Sequence, residues 1–178
     1  MKKLTLIGMT LIAMLSVVSC RGPQGPQGPA GNANVVSKTV TVPANKWRWD
    51  NNTSWRTDIY FNAITANITD YGAVLVYRDE KNTWRQLPYT FYYSEINEET
   101  NEEMFFSSSL EVSTYDEGVS IFWTENDFCA DYPPGEQRFK IVVIAASVYK
   151  SRTDVDYSNY EAVKAAFQLK DDVEENAY

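Results

Sequence analysis

The chain has 178 residues, with 16 basic and 24 acidic side chains, a formal net charge of −8 and no histidine. The acidic balance disfavours nucleic acid and anionic lipid headgroups as partners. The lack of histidine excludes Ser-His-Asp triads and Cys-His pairs, and with them histidine-based zinc and haem sites. The sequence behind the amino-terminal segments is long enough for one domain with a buried core.

The amino terminus has the form of a bacterial secretory signal. Two lysines precede the apolar stretch 4–18, which is shorter than the roughly 20 apolar residues that a transmembrane helix needs. Cys20 directly follows the small residue Ser19, an arrangement that resembles the lipobox of bacterial lipoproteins. The resemblance implies that residues 1–19 are a signal peptide and that Cys20 carries diacylglycerol on its sulfur and palmitate-type acylation on its amine.

A proline-rich segment follows the cysteine. Residues 22–31 form three Gly-X-Y triplets and a closing glycine, which is the spacing of collagen. A stable triple helix needs many such triplets, so we expect an extended polyproline-like spacer over residues 20–34 rather than a trimer.

The lipobox, the Gly-Pro-Gln triplets and the following sequence VVSKTVTVPANKW together resemble small collagen-like lipoproteins of gut-type Gram-negative bacteria. The resemblance implies a protein of the cell envelope, anchored by lipid in the outer membrane. The acidic residues that follow the cysteine in surface-exported members are absent here, so the periplasmic and surface-facing alternatives both stay open.

Residues 35–170 have the pattern of a single antiparallel β-sandwich, either jelly-roll-like or immunoglobulin-like, with one short carboxy-terminal helix. Apolar and polar residues alternate with a period of two in several short runs separated by turn-forming residues. Two runs are apolar on both faces and are predicted to be central strands covered on each side. The predicted strands are Val35 to Val42, Lys46 to Asp50, Trp55 to Phe61, the doubly apolar Ala73 to Tyr77, Tyr89 to Tyr93, Phe106 to Val112, Val119 to Trp123 and the doubly apolar Ile141 to Ala146.

The helix is predicted near residues 158–168, before an acidic tail over 171–178. Ser158 and Glu161 have the spacing of a capping box, in which each side chain bonds a free backbone N–H of the first turn. Apolar side chains then recur at helical spacing and are expected to pack onto the sandwich. They are Tyr160, Val163 and Phe167.

The acidic residues favour no enzyme or metal site. Most lie in polar turns, where solvation is the usual reason for them. We therefore expect no catalytic residues, no metal and no cofactor besides the lipid on Cys20. A histidine-free hydrolase would need two carboxylates roughly 5 to 10 Å apart in a cleft. Calcium could bind the loops 50–52 or 125–127, but neither has EF-hand spacing, and turn formation is the preferred interpretation.

Aromatic residues are abundant, with five Trp, twelve Tyr and eight Phe. Trp47 and Trp49 are two residues apart and share one face of a strand, and Tyr92 and Tyr93 lie in a dense aromatic cluster. Sugar rings stack on exposed aromatic rings, so these four residues are the candidate ligand-binding set. Core packing of the same rings is the alternative.

The sequence as a whole predicts a lipid-anchored, non-enzymatic interaction or structural protein of the cell envelope. Its expected contacts are the membrane, through the anchor, and an envelope protein or a glycan, with no nucleic acid. The alternative function is a glycan-binding accessory lipoprotein that uses the exposed aromatic residues.

Overall fold

The computed structural model describes residues 34–51, 53–128, 132–170 and 174–176. The predicted signal peptide, Cys20 and all but the last residue of the predicted spacer lie outside these ranges. The described residues form ten strands and three short α-helices. The strands are β1 Val35–Val42, β2 Arg48–Asp50, β3 Ser54–Tyr60, β4 Ala73–Glu80, β5 Thr83–Gln86, β6 Tyr89–Ile96, β7 Glu103–Tyr115, β8 Gly118–Glu125, β9 Gln137–Ile144 and β10 Glu174–Asn176, and the helices are α1 Ala66–Tyr71, α2 Ala146–Ser151 and α3 Tyr160–Phe167.

The strands form two five-stranded sheets that pack against each other. Sheet 1 has the order β10-β1-β9-β4-β5, and sheet 2 has the order β2-β3-β8-β7-β6. Neighbouring strands are antiparallel except β1 and β10, which are parallel. The prediction of a mainly β, antiparallel two-sheet fold with a short carboxy-terminal helix is confirmed.

The main core lies between the two sheets. Strict alternation along β9 turns Phe139, Ile141 and Val143 toward sheet 2, while β8 turns Val119, Ile121 and Trp123 toward sheet 1. Burying an aliphatic or aromatic side chain of this size contributes about 1.5–3 kcal/mol relative to leaving it exposed. The remaining fully buried members of this cluster are Val40, Val42, Trp47, Ile59, Ile64, Val76, Leu87 and Leu110.

A second apolar layer covers the other face of sheet 1. The α3 residues Tyr160, Val163 and Phe167 are all buried, and they join a cluster with Val142 and Ile144 of β9 and with residues of β1 and β4. The predicted packing of this helical stripe is therefore confirmed. The layer also explains why β4 and β9 are apolar on both faces, since each is covered from two sides.

The predicted capping box is wrong in its residues. Asn159 is the N-cap of α3, and its side-chain oxygen accepts hydrogen bonds from the backbone N–H groups of Glu161 and Ala162. Ser158 instead donates its hydroxyl to the Asp156 carboxylate at 2.6 Å. Hydrogen bonds to a charged acceptor are stronger than those to a neutral one, so Asp156 outcompetes the helix end for this serine.

Sheet 2 carries a polar cluster around Asp58 on its outer face. Its carboxylate accepts hydrogen bonds from Arg48, from Arg56 at 2.9 Å and from the Ser120 hydroxyl at 2.6 Å. Burial alone would raise the pKa of Asp58, but these three hydrogen bonds outweigh it and hold that pKa below its usual value of 3.8. The cluster ties β2, β3 and β8 together.

Replacing Asp58 with Asn should lower stability more at neutral pH than in acid. A carboxyl whose pKa is lower in the folded state stabilises the fold above its unfolded pKa, and that contribution disappears as the pH falls through the folded pKa. Urea unfolding of D58N and the parent at pH 7 and pH 2 measures the difference. E111Q is the matched control, because Glu111 is an exposed carboxylate on the same face of sheet 2. An equal loss for D58N at both pH values would contradict the assignment.

Candidate functional site

A cleft with a volume of about 560 Å³ opens beside the connection between β8 and β9. This β8–β9 cleft is formed by the last residues of β6 and β8, the first part of β7, the start of β9 and the described part of the connecting loop. Its size falls within the range of about 300–1,000 Å³ that is usual for ligand sites. The lining residues are Tyr93, Glu95, Phe106, Trp123, Glu125, Asp127, Tyr132, Pro133, Pro134, Gly135 and Gln137.

Packed aromatic rings form one wall of the cleft. The period of two along β6 places Phe91 and Tyr93 on its inner face, with ring centroids 6.2 Å apart. Tyr93 is the cross-strand partner of Phe106, and their rings stack at 5.4 Å. Phe91 packs edge-on against Trp123 at 5.5 Å. Each ring is thus fixed by its neighbours, so the wall is formed before any ligand arrives.

Glu125 is the most constrained polar group in the cleft. Its Oε1 accepts hydrogen bonds from the indole N–H of Trp123 at 3.2 Å, from the Tyr93 hydroxyl at 3.3 Å and from the Ser108 hydroxyl at 3.4 Å. Ser108 and Glu125 are direct cross-strand partners on β7 and β8. Among the described residues no hydrogen bond reaches the second oxygen, Oε2. The sheet therefore positions a carboxylate with one oxygen still available as an acceptor.

The phenol of Tyr93 remains protonated in this setting. Burial first, and the nearby Glu125 carboxylate second, raise the pKa of Tyr93 above its ordinary value of 10.0. Both effects disfavour the phenolate. Tyr93 consequently acts as a hydrogen-bond donor to Glu125 across the physiological pH range.

Arg78 supports the aromatic wall without lining the cleft. Its guanidinium lies 4.7 Å from the ring centroid of Phe91 and 4.9 Å from that of Trp123. Its Nε donates to the side-chain oxygen of Gln137 at 2.9 Å. These contacts combine cation–π attraction with a hydrogen bond, and they fix both Trp123 and the cleft residue Gln137.

The structure brings only Tyr93 of the four predicted ligand-binding aromatics into the cleft. Trp47 is 5% exposed and packs edge-on against Trp123 and Phe139, so core packing is the alternative that holds for this ring. Trp49 is half-buried in β2, at the edge of sheet 2, where it packs against Trp55. Tyr92 is 82% exposed on the opposite, outer face, because neighbouring residues of a strand point to opposite sides.

The sequence pattern singled out neither Phe106, Trp123 nor Tyr132 as a ligand-binding residue, and Glu125 was considered only within the loop 125–127. Trp123 is both a core residue and a cleft residue, since it is 7% exposed and also lines the cleft. The usable signal was the spacing of Trp123 and Glu125, which places an aromatic ring and a carboxylate on the same face at the end of a strand.

The connection after β8 does turn at residues 126–127, where the backbone N–H of Phe128 donates to the Glu125 carbonyl at 3.1 Å. The Asn126 side chain serves β7 rather than its own turn, since its oxygen accepts from the backbone N–H of Ser107 and the Asn126 N–H donates to the Ser107 carbonyl, each at 3.1 Å. Within the described ranges, no group of three or more acidic, cysteine or histidine side chains could hold a metal ion. In that same part of the chain, no helix has the length and hydropathy to span a bilayer.

Fold and site together define a mainly β, two-sheet protein with a preformed aromatic and acidic cleft at one end. Comparisons with protein-family models, with curated proteins and with solved structures find no match. The chemistry of the cleft and of the amino-terminal sequence is therefore the basis for a function.

Proposed function

We propose that this protein is a lipid-anchored, non-enzymatic binding protein of the bacterial cell envelope, which holds its partner in the β8–β9 cleft. The observation that carries the proposal is the preformed cleft of about 560 Å³, in which one aromatic wall lies beside the fixed carboxylate of Glu125. The amino-terminal lysines, the apolar stretch and Cys20 support the anchor.

Binding fits this cleft better than catalysis. Three donors converge on Oε1 of Glu125 and tie it to the neighbouring strands. A carboxylate held in this way suits recognition of a ligand in one fixed orientation.

Glycan binding is the second candidate function, and Tyr132 is the observation that favours it. This residue lines the cleft and is 83% exposed, so its ring could stack on the C–H face of a sugar. The half-buried rings of Tyr93 and Phe106 would complete an aromatic surface, and Glu125 would accept a hydrogen bond from a hydroxyl group.

The anchor is tested by replacing each of the two cysteines in turn. In a Gram-negative host fed with labelled palmitate, the full-length protein should incorporate the label and sediment with membranes. The C20A variant should lose the label and the membrane association, because fatty acyl chains supply the hydrophobic attachment. The C129A variant is the matched control and should keep both. A labelled C20A variant, or an unlabelled parent, would contradict lipid anchoring.

A further inference from the structure

We infer that the β8–β9 cleft selects a basic, extended polypeptide segment, with a lysine or arginine side chain placed between Glu125 and the aromatic wall. This inference rests on the proposed binding function and names the chemical class of its ligand.

The charges that line the cleft all have one sign. Glu95, Glu125 and Asp127 lie on its surface, and among the described residues no lysine or arginine lines it. Arg78 is nearby but engages Phe91, Trp123 and Gln137 instead. A cleft lined by one sign of charge concentrates ligands of the opposite sign, and the net charge of −8 strengthens the same preference. An anionic ligand is therefore disfavoured and a cationic one is attracted.

The arrangement around Glu125 matches the needs of a cation more closely than those of a neutral sugar. A guanidinium or ammonium group is stabilised by a carboxylate and by the faces of aromatic rings. Oε2 of Glu125 can accept from such a group, while the half-buried rings of Tyr93 and Phe106 lie beside it. A sugar hydroxyl could also donate to Oε2, but a neutral sugar gains no Coulomb attraction from the acidic lining of the cleft.

The protein already contains a cation in the same aromatic cluster. The guanidinium of Arg78 packs on Phe91 and Trp123 with centroid distances of 4.7 and 4.9 Å. Phe91 and Trp123 in turn contact each other, and Trp123 bonds Glu125. The rings of this cluster thus already hold one cation, the Arg78 guanidinium, by cation–π contact.

The sheet edge beside the cleft favours a polypeptide over a small free cation. Strand β6 is the last strand of sheet 2, and within the described residues it pairs only with β7. Its residues Tyr93 and Glu95 line the cleft. An extended segment can add to an unpaired strand edge through backbone hydrogen bonds, and its alternate side chains then point to one side. Such a segment along β6 would direct every second side chain toward the cleft.

The test uses the indole N–H of Trp123 as its reporter, because this group donates directly to Glu125. The full-length lipidated protein, labelled with ¹⁵N-tryptophan in detergent micelles, is titrated with the capped pentapeptide Val-Thr-Arg-Thr-Val. The same peptide with neutral citrulline in place of arginine, and the neutral trisaccharide maltotriose, are titrated in parallel. We expect a saturable shift of the Trp123 signal with the arginine peptide and at least about tenfold weaker binding of the citrulline peptide.

Two variants that each remove one negative charge show whether Glu125 itself is responsible for the affinity of the arginine peptide. E125Q keeps the shape of the side chain and should weaken the binding of the arginine peptide by about tenfold or more. E111Q removes a carboxylate from the exposed outer face of sheet 2 and should leave the affinity unchanged. Equal weakening by both variants would mean that only the overall charge attracts the peptide, and it would overturn the inference.

The remaining outcomes separate this inference from the proposed function. A shift with maltotriose and none with either peptide would overturn cation selection and support a glycan in the same cleft. Equal affinity for the arginine and citrulline peptides would also overturn cation selection but keep a polypeptide ligand. No shift with any probe at millimolar concentration would overturn both the inference and the use of this cleft for binding.

Discussion

The W47A variant is expected to lose about 3–5 kcal/mol of unfolding free energy, the usual effect of truncating a buried tryptophan to alanine. Trp47 is 5% exposed, and its ring lies 6.2 Å from that of Trp123 and 6.3 Å from that of Phe139. Truncation would open a cavity at a point where both sheets contribute aromatic side chains. Because small domains are stable by only about 5–15 kcal/mol, urea unfolding should show a large shift of the midpoint.

Tyr92 supplies the matched control for this variant. It was predicted together with Trp47 as a ligand-binding aromatic, yet it is 82% exposed on the outer face of sheet 2. The Y92A variant should therefore lose less than about 1 kcal/mol, the span of strand propensity. If W47A unfolded at the same urea concentration as Y92A, Trp47 would not be part of the core, and a tryptophan surface for ligands would have to be reconsidered.

Much of the sandwich could be predicted from the sequence because the alternation of apolar and polar residues is a strong local signal of a strand. The run from Val35 to Val42 was predicted with the bounds that β1 has. The apolar character of both faces of β4 and β9 correctly indicated coverage from two sides, by sheet 2 and by the layer that includes α3. In these elements the local pattern and the tertiary packing require the same residues.

Other elements could not be predicted because their own sequences carry too weak a periodic pattern. Strand β5 contains Trp84 as its only large apolar residue, and its pairing with β4 follows a turn in which Lys81 and Asn82 have positive φ values of 52° and 67°. Helices α1 and α2 have six residues each, which is too short for a helical period to stand out. The predicted strand from Lys46 begins instead at Arg48, after a 3₁₀ turn over Ala44–Lys46.

Only part of the cleft could be predicted, because its residues are brought together by the order of the strands in the sheet. The period of two paired Trp47 with Trp49 on one face of a strand, but β2 begins only at Arg48, and the period alone does not say whether a face is buried or exposed. Tyr93 and Glu125 are 32 positions apart in sequence, and they meet because β7 lies between β6 and β8 in sheet 2. That strand order is a property of the whole fold, so the aromatic and acidic site emerges only once the pairing is known.

The V163D variant should lose the packing of α3 on sheet 1 and be destabilised by at least about 3 kcal/mol, the usual cost of a buried charge without a partner. Val163 is fully buried between Tyr160 and Phe167 in the layer over β4 and β9. A carboxylate there must either stay ionised in an apolar environment or take up a proton, and both cost free energy. Urea unfolding measures the loss, and near-ultraviolet circular dichroism reports on the packing of the aromatic side chains, which in this layer include the ring pair of Tyr77 and Tyr160.

The A165D variant separates burial from the effect of an aspartate on the helix. Ala165 lies two residues further along α3 and is exposed, so A165D adds the same charge to the helix without burying it. Its helix-propensity cost of at most about 0.7 kcal/mol is larger than that of V163D, because valine and aspartate have similar propensities. A165D should therefore stay close to the parent in stability and keep its near-ultraviolet signal. If the two variants lost the same free energy, the helix would contribute nothing through its buried face. The apolar outer faces of β4 and β9 would then require some other cover.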